Sequence, residues 1–167
     1  MIAKDLKRLK KLCESKQIKI SLAESCTGGL VSSSITSIAG SSNFFESAII
    51  SYSNNAKIEL LGINKNLILK HGAVSKEVAL SMAKNLHRIT RSHICASITG
   101  IAGPDGGSKE KPIGLVYISI IGPNNKIKNI RKMFNPIRNR IDIQRLSVNE
   151  CLNSLRLILL SKKDKNF

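Results

Sequence analysis

Apolar positions along the chain alternate between helical and strand-like spacing. Leu6, Leu9, Leu12 and Cys13 recur at helical intervals and predict an amphipathic helix from Asp5 to Lys16. Ile18 to Leu22 is short and alternating, as a strand is. After a polar bend at Ser25, Leu30, Val31, Ser34, Ile35 and Ile38 predict a second helix, broken at Gly40. Ser47 to Ser53, with Ile49, Ile50 and Tyr52, reads as the next strand. Asn54 to Leu61 and Asn64 to Leu69 form short helical turns divided by Gly62. Ser75 to Arg88 is a helix: Ser75 suits the N-cap, Glu77 the positive helix start, and Val78, Met82 and Leu86 recur at spacing four. Ile94 to Thr99 is a strand entering a glycine-rich loop, and Gly114 to Ile121 is another. Pro123-Asn124-Asn125 supplies a turn, from which Ile127 to Phe134 returns as an antiparallel partner. A last helix runs from Ile141 to Leu160, before the polar tail 161–167.

Helices alternating with strands, followed by a hairpin, imply an α/β layered domain with a mixed sheet and helices on both faces. The pattern shows no internal repeat and no linker, so residues 1–167 read as a single domain. Ligands of such sheets bind beyond the carboxyl ends of strands. Three informative loops begin there, after Leu22, after Ser53 and after Thr99.

Composition narrows the class. Hydrophobic residues at 42% and charged residues at 23% are those of an ordinary globular protein and argue against disorder. The start of the chain is interrupted by Lys4, Asp5, Lys7, Arg8 and Lys10, which suits neither a signal peptide nor a membrane span, so the expected location is cytoplasmic. Cys13, Cys26, Cys95 and Cys151 form no metal-ligand spacing with one another or with His71, His87 and His93, and are expected to be reduced, mostly buried thiols with no structural metal. The formal charge of +16 invites a nucleic-acid partner, yet the basic residues are spread from Lys4 to Lys165 in a chain rich in Ile, Lys and Asn throughout. A general bias accounts for them as well, and its milder consequence is attraction of small anions into clefts.

Chemistry concentrates in three stretches. Ala23-Glu24-Ser25-Cys26-Thr27-Gly28-Gly29 places a hydroxyl and a thiol at a bend beside paired glycines, either as a nucleophile loop with oxyanion donors or as a plain strand-to-helix turn. Tyr52-Ser53-Asn54-Asn55-Ala56-Lys57 places a lysine one helical turn past a strand end, where burial would lower its pKa and make it a base for Ser25; the plainer alternative is a solvated charge. Thr99-Gly100-Ile101-Ala102-Gly103-Pro104-Asp105-Gly106-Gly107 is either a ligand cradle or a structural turn, and it matches neither a Walker nor a dinucleotide fingerprint. His71 is a further possible base, and Cys26 is a rival nucleophile that chemistry alone leaves open.

Taken together with His-Gly-Ala-Val-Ser at 71–75 and Lys111-Pro112-x-Gly114, these stretches resemble the CinA C-terminal domain family, over nearly the whole chain from Leu6 to Leu160. Some stand-alone members are nicotinamide-nucleotide amidohydrolases. The resemblance implies a three-layer α/β/α sandwich with a mixed, largely parallel sheet, and hydrolysis of the carboxamide of nicotinamide mononucleotide to the acid with release of ammonia. It implies a catalytic group carried by Ser25, Tyr52 and Lys57, in which Ser25 attacks, Lys57 moves the proton and Tyr52 orients or relays. Substrate contacts are then expected from Thr27, Gly28 and Gly29 as oxyanion and helix-start donors, and from Thr99, Gly100, Gly103, Asp105, Gly106, Gly107 and Arg140 around the nucleotide. No cofactor, metal or membrane is implied, and a homo-oligomer is. Where the family carries Phe-x-Gly-Asp-Arg and a second Arg four residues on, this chain has Phe134-Asn135-Pro136-Ile137-Arg138-Asn139-Arg140 and then Gln144, so the second arginine is lost. The larger amino-terminal domain of many members has no counterpart in these residues, and roles that depend on it do not transfer. The alternative reading is a non-catalytic nucleotide or nucleic-acid binding module linked to competence or DNA damage.

Overall fold

A computed structural model describes residues 2–135 and 137–160. Its elements follow the order α1 (Ile2–Ser15), β1 (Ile20–Glu24), α2 (Leu30–Thr36), β2 (Phe45–Ile50), α3 (Asn54–Leu61), α4 (Lys65–His71), α5 (Lys76–Thr90), β3 (Ile94–Gly100), β4 (Leu115–Ile121), β5 (Ile127–Met133) and α6 (Arg140–Leu160). The polar tail 161–167 lies outside the described residues.

The strands form one sheet in the order β2-β1-β3-β4-β5. β1 pairs in parallel with β2 and β3, whereas β4 is antiparallel to both β3 and β5. Only β4 is reversed, so the sheet is mixed and largely parallel in direction. β1 is flanked by β2, which follows it in sequence, and by β3, which comes later. That arrangement makes the carboxyl end of β1 a topological switch point, where crossovers diverge and leave a crevice.

Period-two alternation sends successive strand residues to opposite faces. Ile20 and Leu22, Ile94, Ala96 and Ile98, and Val116, Ile118 and Ile120 pack with α1, α2 and α6 in one core. Ala23 and Cys95 face the other way, against Leu61, Ile68, Val78, Met82 and Leu86 from α3, α4 and α5. The result is the three-layer α/β/α sandwich. Buried polar strand residues are paired as burial requires: Ser97 Oγ donates to Ala79 O at 2.5 Å, and Ser21 Oγ lies 2.7 Å from Ser92 Oγ.

Element boundaries differ from the expected ones where tertiary partners intervene. β1 begins at Ile20 instead of Ile18, because the Ile18 N–H returns to Cys13 O and closes α1. It extends to Glu24, whose partner in the ladder is Ile50. β2 ends at Ile50 instead of Ser53, since Ser51 donates to Glu24 O and the Ser53 side chain accepts from Ala56 N as the N-cap of α3. α4 runs on through His71, which therefore ends a helix instead of lying in a loop. Ser75 caps α5 as expected, accepting from Val78 N.

Candidate active site

The carboxyl ends of β1, β2 and β3 surround a cavity of about 200 Å³. Ser25 and Cys26 follow β1; Tyr52, Asn54 and Lys57 follow β2; Ala73 and Val74 come from the α4–α5 turn; Thr99, Gly100 and Ala102 belong to β3 and its loop; Arg140 opens α6.

Lys57 lies deep in this site at 1% exposure, although it is on the first turns of a helix whose neighbours Asn54 and Asn55 are exposed. Its Nζ donates to Ser25 Oγ at 3.0 Å, to Ser51 O at 2.9 Å and to Tyr52 O at 3.2 Å. An ammonium has three N–H groups, and all three are matched. After loss of one proton the two carbonyls can hold the two remaining N–H groups, which leaves the lone pair facing the Ser25 hydroxyl. Burial lowers the Lys57 pKa, because desolvation penalises the charged form; the Cys26 sulfur opposes it. The solvated-charge reading of Lys57 is thereby excluded.

Burial works in the opposite direction on Cys26. Its thiol is pushed up to about 12, chiefly by desolvation, so at neutral pH it is protonated and a poor nucleophile. The same sulfur packs in the core beside α2 and α6. All four cysteines are free and buried. Of the two neighbouring candidates, Ser25 alone has a base in contact.

The turn after Ser25 corrects one expectation. The Thr27 hydroxyl and the amides of Gly28 and Gly29 are not free donors at the cavity. The Thr27 hydroxyl donates to Glu24 Oε2 at 2.6 Å, the Gly29 N–H goes to the same oxygen at 3.0 Å, and the Gly28 N–H turns back to Ser25 O at 3.1 Å. The reason is the direction of the Glu24 side chain. Strand alternation sends this fully buried carboxylate to the α2 face, where it also accepts from the N–H groups of Val31 and Ser32 and from the Ser32 hydroxyl. No backbone carbonyl among the described residues accepts from the amide of Thr27, and the Cys26 amide meets its own sulfur.

Tyr52 and Arg140 come together at the rim. Tyr52 is 56% exposed, and its hydroxyl accepts from Arg140 Nη2 at 2.6 Å, while Nη1 donates to Gly103 O at 2.8 Å. Only the Tyr52 backbone carbonyl touches Lys57. Gly103 thus anchors the arginine from outside the lining. Thr99 lines the cavity with its hydroxyl spent on Ala73 O at 3.0 Å, and Gly100 lies against Val116, leaving no space for a side chain. Asp105, Gly106 and Gly107 are exposed and lie outside the lining, so the far half of the glycine loop is no cradle for a ligand inside it.

Three features escaped sequence reasoning. Gln144, read only as a lost arginine, donates to Cys26 O at 2.8 Å and braces the nucleophile turn from α6. Asn54 and the pair Ala73-Val74 belong to stretches already singled out, but only the fold shows that they face the site. The histidines serve elsewhere: His71 Nδ1 lies 3.8 Å from Glu77, His87 Nδ1 is 2.9 Å from Ser92 O, and His93 Nδ1 accepts from Lys19 N. Among the described residues no cluster of three His, Cys, Asp or Glu could hold a metal, and no helix is long and apolar enough to cross a membrane.

The chain matches the CinA C-terminal domain over residues 3–159. It is 61% identical over 153 residues to a CinA-like protein of Prochlorococcus marinus subsp. pastoris, covering 92% of this chain and 35% of that relative. A CinA-like protein of Endomicrobium trichonymphae is 44% identical over 151 residues, covering 90% and 34%. The chain therefore spans about a third of the length of these curated relatives. Among solved structures, the competence/damage inducible protein CihA from Agrobacterium tumefaciens superimposes with a TM-score of 0.91 at 34% identity, covering 96% of each chain. The competence damage-inducible protein A from Klebsiella pneumoniae has the same fold, with a TM-score of 0.91 at 21% identity over 97% of this chain and 99% of that one. By a match over nearly its whole length, this chain belongs to the CinA C-terminal domain family.

Proposed function

We propose that this domain is a serine–lysine amidohydrolase that converts nicotinamide mononucleotide to nicotinate mononucleotide and ammonia, in salvage of pyridine nucleotides. The observation that carries the reading is the 3.0 Å contact between Lys57 Nζ and Ser25 Oγ, made by a buried lysine whose pKa is lowered. A serine hydroxyl is a weak nucleophile unless a base takes its proton, and a buried lysine in contact with it supports that pairing.

Ser25 Oγ attacks the carboxamide carbon as its proton passes to Lys57 Nζ. The oxyanion that forms lies toward the amides of Cys26 and Thr27. Lys57 then protonates the departing nitrogen, the C–N bond breaks, and ammonia leaves an ester on Ser25. Water attacks that ester, giving a proton to Lys57, which returns it to Ser25 Oγ as the acid departs. Arg140 and the chain's +16 charge favour an anionic group at the rim. Tyr52, with its hydroxyl on Arg140, acts as the orienting residue for that guanidinium instead of as a relay to Ser25.

A panel of pyridine mononucleotides, dinucleotides and free amides, assayed for ammonia, tests the reading. Release from nicotinamide mononucleotide is expected, and its absence across the panel from active-site-intact protein would overturn it. The same charge supports a nucleic-acid binding module as the second reading. Affinity for DNA that falls steeply with salt, without ammonia release, would favour that one.

A further inference from the structure

We propose that Glu24 is a positioning residue for the reaction: its buried carboxylate gathers the turn and the first residues of α2 and thereby holds Ser25 Oγ against Lys57. This rests on the serine–lysine reading above.

α2 starts without an ordinary cap. Gly29 occupies its N-cap position at φ 99° and offers no side chain, so the orphan amides of the first turn need an acceptor from elsewhere. Glu24 supplies it from the end of β1. Oε2 accepts from Thr27 Oγ1, Gly29 N and Val31 N, and Oε1 accepts from Ser32 N and Ser32 Oγ. A terminal cap would serve one or two amides. Here one carboxylate serves five donors across Thr27 to Ser32, with Ser25 and Cys26 held between the carboxylate's own backbone and the segment it grips.

The backbone of the same residue sets the base. Glu24 O accepts from Ser51 N at 2.8 Å, and Ser51 O in turn accepts from Lys57 Nζ. Ser25 itself is fixed at both ends, its N–H on Ile98 O and its carbonyl on Gly28 N. A shift of the Glu24 side chain therefore moves the nucleophile relative to its base, and misplacements near 1 Å cost about a hundredfold in rate. Ser32 sits on the far side of the carboxylate and does not line the cavity, so it can reach the chemistry only through Glu24.

Glu24→Gln, Ser32→Ala, Ser32→Thr and Ser34→Ala are compared by thermal unfolding, by kcat and KM for ammonia release, and by the rate at which a fluorophosphonate esterifies Ser25, read by mass. Ser34, whose hydroxyl donates to Leu30 O, is the control on the same helix. Glu24→Gln directs an amide NH2 at two or three donors and is expected to lower kcat and labelling about a hundredfold. Ser32→Ala should lower both about tenfold with KM within twofold. Ser32→Thr should restore them, and Ser34→Ala should match the wild type. The proposal is overturned if folded Glu24→Gln reacts at the wild-type rate, or if Ser32→Ala lowers only the melting temperature. Should Glu24→Gln not fold, the Ser32 pair decides. Labelling does not depend on the substrate, so a wrong substrate assignment shows as failed ammonia release with the labelling pattern intact.

Discussion

Two glycine-bearing loops meet at this cavity, and they are built on opposite plans. The turn from Glu24 to Ser32 is short and bonded largely to itself, with a buried carboxylate at its centre and its glycines bent to φ 59° and 99°. The loop from Ile101 to Gly114 is long and held by its edges. Ile101 O accepts from Gly114 N at its base, Lys111 Nζ donates to His71 O, and Arg140 holds Gly103 O, while Asp105 to Gly107 project into solvent. Glycine content suggested backbone donors at a site for both, as oxyanion donors in the first and a ligand cradle in the second. The difference teaches that the first loop holds the Ser25 hydroxyl in place, whereas the second is a wall whose near edge alone faces the site.

The largest effect that could break this contrast is at the reacting atoms. Ser25→Ala and Lys57→Met should each lower ammonia release more than about a thousandfold while the protein stays folded. Full turnover in either variant would remove the first loop's role.

Next is the expected difference in stability. At Gly114 a Cβ would stand 2.2 Å from Phe134 O, at φ 93°; at Gly28, φ 59°, a Cβ would meet nothing within 4 Å. Gly114→Ala should therefore cost about 3 kcal/mol or more and Gly28→Ala only about 1 kcal/mol, measured by denaturant unfolding. Equal costs would mean that the base of the long loop is not its fastening.

Acidity sharpens the comparison further. Because burial lowers the Lys57 pKa, the rising limb of kcat/KM with pH should fall below the usual lysine range. The same shift has a sign for stability. Between the lowered pKa and the ordinary one the unfolded chain binds more protons than the folded one, so wild-type stability relative to Lys57→Met should rise with pH across that window and be flat below it. A rate limb at lysine's ordinary value would show the amine to be solvated. The smallest effect is expected from Asp105→Ala, with kcat and KM within about twofold, as for a surface change away from the site; a large rise in KM would return the tip of the long loop to substrate binding.

Much of this molecule was legible before it folded. Helical and alternating spacing located every main element, because those periods are set by local backbone geometry. Errors came at the ends, where a hydrogen-bond partner outside the element decided the boundary, as Cys13 did for the start of β1 and Glu24 for the end of β2. Within the site, Ser25 and Lys57 were paired by chemical need, and Arg140 was placed through the resemblance. Gly28 and Gly29 were misread as free donors, because a sequence does not say which acceptors, a buried carboxylate or a turn carbonyl, will take their amides. Gln144 was missed for a related reason: a residue that reads as the loss of a charge can still supply a hydrogen bond.

The sequence by itself determined the order of layers, the nucleophile's bend and the kind of base that it would need. Only the tertiary structure decided that Lys57 is dry and directed at Ser25, that Glu24 consumes the Gly29 amide, and that Cys26 stays a protonated thiol. These facts depend on contacts between residues 32 positions apart for Ser25 and Lys57, and 118 apart for Gln144 and Cys26. Protonation and hydrogen-bond availability follow from what surrounds a group once water is excluded, and that enclosure exists only after the sheet, α3 and α6 have come together.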